Sequence, residues 1–261
     1  MEIQAGTSGY SYKGWVGPFY PEKTKPADML AYYATQLPTV EINNTFYRLP
    51  KESVLQAWAA SVPDSFRFTI KASRRITHLK RLQGVEDETG YLLRVTSALG
   101  EKLGALLFQL PPHLKCDLER LEAFLALLPE DTPAALEFRH ESWLEQPVLE
   151  RLRSRNVPLV HVDDEDGAPH EIVPTADWGY LRLRRPDYDE AALRAWSDRV
   201  SKLRWDRALV YFKHEDDGAG PKMAARFLEV ADAPAKRAPA AATPAEKPAR
   251  KKRPARKKKA G

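Results

Sequence analysis

Aliphatic and aromatic residues concentrate in eight short runs along this chain, and nearly every run turns polar or charged near its C-terminal end. The runs are Ile3 to Gly9, Thr39 to Phe46, Phe66 to Ala72, Gly104 to Leu110, Ala134 to His140, Pro158 to Asp163, Gly179 to Arg184 and Arg207 to Lys213. Most alternate with helix-like stretches, the first from Ala27 to Gln36, and strands separated by helices pair in parallel. Eight such units predict one α/β domain, a single (β/α)8 TIM-like barrel, with its chemistry at the C-terminal strand ends. One connection breaks the rule. The segment DEDGAPHEIVPTADW, between the sixth and seventh runs, is rich in Pro, Gly and Asp, so the sixth helix is expected to be missing.

Within each run, residues two apart share a face. Glu41 and Asn43 therefore lie opposite Val40 and Ile42, and Thr69 and Lys71 lie opposite Phe68 and Ile70. Gln109 ends its strand. Glu137 pairs in parity with Arg139, His161 with Asp163, Arg182 with Arg184, and Tyr211 with Lys213 and Glu215. Charged side chains are rarely buried without partners, so Glu41, Lys71, Glu137, Arg139, Arg182 and Lys213 should pair with one another or await a ligand. Cations at strand ends suit phosphate and other anions, and neighbouring carboxylates can move a proton.

Charge divides the chain in two. Residues 233–261 hold eleven lysines and arginines against the single Glu246, so they carry +10 and the remainder −5 of the total +5. This tail of Pro, Ala and basic residues has nothing with which to build a core and is expected to be disordered, leaving residues 1–232 as the barrel. Its runs, with Lys251, Lys252, Arg253, Lys257, Lys258 and Lys259, suit non-specific contact with nucleic acid through counterion release. The chain lacks a signal-like start, an apolar run long enough to span a membrane, and a second cysteine beside Cys116. A cytoplasmic location is expected, nucleoid-associated if the tail holds DNA, with no membrane partner.

Other signals are weaker. Six histidines occur without HxxxH, HExxH or HxH spacing, so neither a metal nor another cofactor is expected, a divalent ion being the alternative. The loop YSYKGWVGPFYPEKTKP after the first strand is long enough to be a packed lid. A second, basic segment follows the third strand and could carry Arg74, Arg75 and His78 over a bound anion.

The blocks GTSGYSYKGWVGPFYP, TVEINNTFYRLP, FRFTIKASRRITH, LLFQLPP, LEFRHESW and VYFKHE resemble those of the YecE-like family, domain of unknown function 72. The resemblance covers about residues 3 to 230 and implies a TIM-barrel fold without supplying a reaction. Matching positions include Gly6, Thr7, Ser8, Gly9, Trp15, Glu41, Asn43, Phe46, Tyr47, Lys71, Thr77, His78, Gln109, Pro111, Glu137, Arg139, His140 and Trp143. Lys213 and His214 stand where many relatives carry two asparagines.

Combining parity and resemblance, the candidate catalytic residues are Glu41, Glu137 and Lys71. The candidate substrate contacts are Thr7, Asn43, Tyr47, His78, Gln109, Arg139, His140, Asp163, Arg182 and Lys213. Two function classes fit: an enzyme acting on an anionic substrate, phosphorylated or nucleic acid, by hydrolytic, lyase or isomerase chemistry, and a non-catalytic module that binds nucleic acid or a small ligand. Fold alone does not choose between them.

Overall fold

All strand pairings are parallel in the computed structural model, which describes residues 1–164, 171–213 and 216–232. The order along the chain is β1 (Glu2–Ser8), α1 (Met29–Gln36), β2 (Thr39–Ile42), α2 (Glu52–Ala60), β3 (Arg67–Lys71), α3 (Glu86–Thr96), β4 (Leu103–Gln109), α4 (Leu118–Ala126), β5 (Ala134–Glu137), α5 (Gln146–Ser154), β6 (His161–Asp163), β7 (Trp178–Leu183), α6 (Glu190–Ser201), β8 (Arg207–Phe212) and α7 (Ala219–Asp232). The sheet runs β5-β4-β3-β2-β1-β8-β7-β6. Its two edges meet through one bridge, where the Leu136 amide donates to Pro158 and accepts, through its carbonyl, the amide of Val160. A nearly closed eight-stranded barrel results, as the alternation of runs predicts. Among the described residues no helix joins β6 to β7.

Side-chain alternation sorts the core into two layers. Val40, Ile42, Phe68, Ile70, Leu106, Phe108, Leu136, Leu181, Leu183, Val210 and Phe212 face the helices. Ala105, Leu107, Ala135, Val160, Trp178, Tyr180, Leu209 and Tyr211 fill the interior. Above this interior floor, the Tyr211 hydroxyl lies 2.8 Å from Thr39 Oγ1 and 2.7 Å from Thr69 Oγ1, tying β8 to β2 and β3. The next inward positions toward the C-terminal ends are Glu41, Lys71, Gln109, Glu137 and Arg182, a polar layer set on a packed one.

Several strands stop earlier than their apolar runs. β2 ends at Ile42 because Thr45 turns the chain, its hydroxyl donating to the carbonyls of Ile42 (2.9 Å) and Lys71 (2.8 Å). β5 ends at Glu137, and the His140 ring accepts the Ser142 amide at 3.2 Å to start a short 3-10 turn. α1 begins at Met29, two residues after the predicted start. The loop after β1 folds down as packing: Trp15 and Tyr20 are buried among Tyr12, Phe19, Tyr32 and Tyr33. Gly9 makes the bend at φ +93, and a side chain there would strike the Tyr12 hydroxyl.

Candidate active site at the barrel mouth

The mouth is organised by one fully buried guanidinium. Arg182, on β7, donates from Nη2 to Glu41 Oε1 and from Nη1 to Glu137 Oε2, both at 2.8 Å, and is 2% exposed. Each carboxylate is then committed to further donors. Glu41 also accepts Ser8 Oγ (2.8 Å) and Asn43 Nδ2 (2.8 Å) on Oε1, and the Tyr180 hydroxyl (2.5 Å) on Oε2. Glu137 accepts Gln109 Nε2 (2.7 Å) and Arg139 Nε (2.5 Å). The chain of charge continues outward, since Asp164 bridges Arg139 (3.4 Å) to Arg184 (3.0 Å). Glu41, Arg182, Glu137, Arg139, Asp164 and Arg184 thus alternate in sign and sum to zero.

Protonation follows from these contacts. Burial acts to raise the Glu41 carboxyl, but Arg182 and the Tyr180 and Asn43 hydrogen bonds prevail and bring it down to about 2. Glu137 behaves alike: burial is outweighed by Arg182 and Arg139, and its pKa is lowered. Desolvation works against the Arg182 charge, yet the two carboxylates more than restore it. Burial and the Glu41 charge raise Tyr180, which stays a donor. Both carboxylates are therefore held as hydrogen-bonded anions.

Lys71 stands outside this closed circuit. Its Nζ makes no hydrogen bond or ion pair among the described residues and lies 4.6 Å from the centre of the Phe46 ring. Burial first, then repulsion from Arg182 and Arg184, outweigh the pull of Glu41 and Glu137 and lower its pKa to about 8. Phe46 also meets the His78 ring edge-on, with centroids 4.8 Å apart. His78 comes from a five-residue π turn, Arg75–Leu79, and its Nδ1 lies 2.9 Å from Thr77 Oγ1. Burial, Lys71 and His113 lower its pKa. In the polar layer the buried Asn43 Oδ1 and Arg182 Nε have no partner among the described residues.

The structure therefore gathers Glu41, Asn43, Lys71, His78, Gln109, Glu137, Arg139 and Arg182. Lys213 follows β8 at the same end, and Tyr47 sits on the rim, 72% exposed, with Arg74 over its ring at 5.9 Å. Two expected contacts, Thr7 and Asp163, lie elsewhere, while His140 stays beside Arg139 and Asp164, lining the same cavity. Thr7 faces α1, its amide and hydroxyl both on Tyr33 Oη. His140 caps its turn. Asp163 points to the helix side of β6, where Tyr188 Oη (2.8 Å), Trp196 Nε1 (3.2 Å) and Arg185 Nη2 (2.7 Å) consume its carboxylate. Arg75, expected over an anion, is paired with Glu88. Sequence reasoning missed Tyr180 and Ser8 as partners of Glu41, although Tyr180 shares the parity of Arg182, and it missed Asp164. Among the described residues no group of three His, Cys, Asp or Glu side chains is placed to hold a metal, and no helix is long and apolar enough to cross a membrane. The basic tail, His170, His214 and Glu215 lie outside the described residues.

A (β/α)8 barrel with an alternating ion-pair chain, buried at its inner end, at its C-terminal mouth defines the class of protein. The chain belongs to the DUF72 family, described as a protein family of unknown function, whose model matches residues 4–249. It is 31% identical over 187 residues to UPF0759 protein YunF of Bacillus subtilis, covering 67% of this chain and 64% of YunF. It is 32% identical over 140 residues to UPF0759 protein YecE of Escherichia coli K12, covering 51% and 52%. The matched region thus spans less than two thirds of either relative. Among solved structures, a DUF72 family protein of Thermotoga maritima superposes with a TM-score of 0.78 at 27% identity, covering 88% of this chain and 98% of that one. One from Enterococcus faecalis gives 0.74 at 21% identity, covering 89% and 96%, a likeness of fold alone.

Proposed function

We propose that the barrel is an enzyme acting at its mouth on a phosphorylated or otherwise anionic substrate. One observation carries this reading: six charges cancel in an alternating chain, while the seventh, Lys71, is left without a carboxylate hydrogen-bonded to it. A purely structural lysine would be drawn into the network, because a half-buried ammonium gains most from a direct anionic partner. Here both neighbouring anions are committed to Arg182, so the mouth keeps a net positive point beside two unpartnered polar atoms. Of the catalytic candidates Glu41, Glu137 and Lys71, this reading keeps Lys71 and adds His78, and the two carboxylates position Arg182. The commitment of both carboxylates to Arg182 also favours a second reading, a non-catalytic binding module in which Lys71 only recognises. In either case the tail adds sequence-independent contact with nucleic acid.

The test is a thermal-shift series on the full chain with sugar phosphates, nucleotides and short DNA, each beside the Lys71→Met variant. A ligand at 100 times its Kd adds about 2.7 kcal/mol of stability. The expected outcome is a shift with a phosphorylated small molecule that Lys71→Met abolishes. A shift of equal size in the variant would remove the site from consideration. DNA binding that falls steeply with salt and ignores Lys71 belongs to the tail.

A further inference from the structure

We propose that Lys71 is an imine-forming nucleophile, whose amine attacks the carbonyl carbon of an anionic aldehyde or ketone seated at the barrel mouth. The inference rests on the reading of the mouth as an anion-processing site and names the reacting group of its substrate.

Three arrangements support it. First, the surroundings of Lys71 are poor for a lysine whose only task is to hold an anion. A guanidinium in the same layer repels its charge, an aromatic ring lies under it, and both nearby carboxylates are occupied by other donors. An ammonium placed against another cation and away from water loses its proton more readily, which is how a lysine becomes a nucleophile. With a pKa near 8, about one molecule in ten carries the neutral amine at pH 7. Second, a proton carrier stands next to it: Phe46 packs against both Lys71 Nζ and the His78 ring, so the two groups flank one face-and-edge contact. Third, Asn43 Oδ1 is a buried acceptor without a donor, and Asn43 is anchored to Glu41 through its amide nitrogen. A fully ionised phosphate or carboxylate cannot supply that donor, whereas a substrate hydroxyl or the hydroxyl of a tetrahedral adduct can.

The step needs no oxidant, reductant or co-reactant beyond one proton from solvent. The Lys71 lone pair forms an N–C bond while the carbonyl π electrons move to oxygen. Neutral His78 accepts the proton released from nitrogen and returns it to the new hydroxyl. That hydroxyl takes a second proton, delivered from solvent through His78, and leaves as water when the nitrogen lone pair forms the C=N bond; the product is a cationic imine that keeps its place over the Phe46 ring. The net change is amine, carbonyl and one proton in, iminium and water out.

The experiment is reductive trapping. The full chain is incubated with glyceraldehyde 3-phosphate and sodium cyanoborohydride, digested and mapped by mass spectrometry, with glyceraldehyde as the uncharged probe and Lys71→Arg as the comparison variant. Trapping at Lys71 should exceed that at surface lysines by at least tenfold, rise with pH toward 8, favour the phosphorylated probe and vanish in Lys71→Arg, whose fold is checked by its thermal midpoint. Label spread evenly over surface lysines, or no label at Lys71, overturns the proposal. A thermal shift with glyceraldehyde 3-phosphate but no adduct at Lys71 sinks the imine alone and leaves the anion site standing. Neither shift nor adduct removes both.

Discussion

Arg182 and Lys71 are cations in the same layer of one barrel, yet their neighbourhoods differ in kind. Arg182 has its charge matched by two carboxylates, each at 2.8 Å, while Lys71 has an aromatic ring. The difference lies in shape. A planar guanidinium can bridge two anions on strands as far apart as β2 and β5, and once it does, those anions are committed and a nearby lysine has no free carboxylate within reach. One buried cation therefore tunes the other.

The contrast can be broken at its strongest point first. Arg182→Met leaves Glu41 and Glu137 buried without their shared partner and should cost about 3 to 5 kcal/mol in urea unfolding. A loss below about 1 kcal/mol would mean that the carboxylates do not depend on it. Glu41→Gln is milder, costing about 1.5 to 3 kcal/mol at neutral pH through its charged hydrogen bonds. Its dependence on acid is the sharper readout. The folded carboxyl titrates near 2 against an ordinary 4.5, so its contribution is complete above 4.5 and disappears as pH falls through 2. Wild type and Glu41→Gln should converge over that window. The smallest loss belongs to Lys71→Met, which should be neutral or stabilising at pH 7, since it removes a half-buried ammonium that the fold does not pair. The folded amine titrates near 8 and the unfolded one near 10.5, so the cost of holding it charged is fully present below 8 and relieved between 8 and 10.5. Wild type should gain stability relative to Lys71→Met across that range, and parallel curves would show that the ammonium is paired after all.

Strand parity made most of the mouth legible before any coordinate was known. Glu41, Lys71, Gln109, Glu137 and Arg182 each alternate with apolar neighbours, and the polar member of each pair lies at the strand end that a barrel uses for chemistry. β6 was misread because parity identifies two faces without saying which is inner. Val160 and Val162 are as apolar as any helix-facing pair, and they occupy the interior, which turns Asp163 outward. What satisfies Asp163 comes from Tyr188, Arg185 and Trp196, residues 22 to 33 positions away in the chain, and no local pattern announces such a meeting. Likewise Thr45 ends β2 through a carbonyl of β3, a contact that only the folded register creates.

The seam between β5 and β6 bears on how this chain acquires its shape. Consecutive strands there share one bridge, whereas β1 and β8, from opposite ends of the barrel sequence, pair over six positions from Glu2 with Arg207 to Thr7 with Phe212. Loop-closure entropy must be met before a distant pairing returns any free energy, and domains dominated by such pairings fold slowly. Synthesis thus releases β1 long before its neighbour β8 exists, and until β8 emerges the interior edge of β1 has no strand to pair with. The closing of the ring is a late event, set by the last strand to leave the ribosome rather than by the weakest joint in the finished wall.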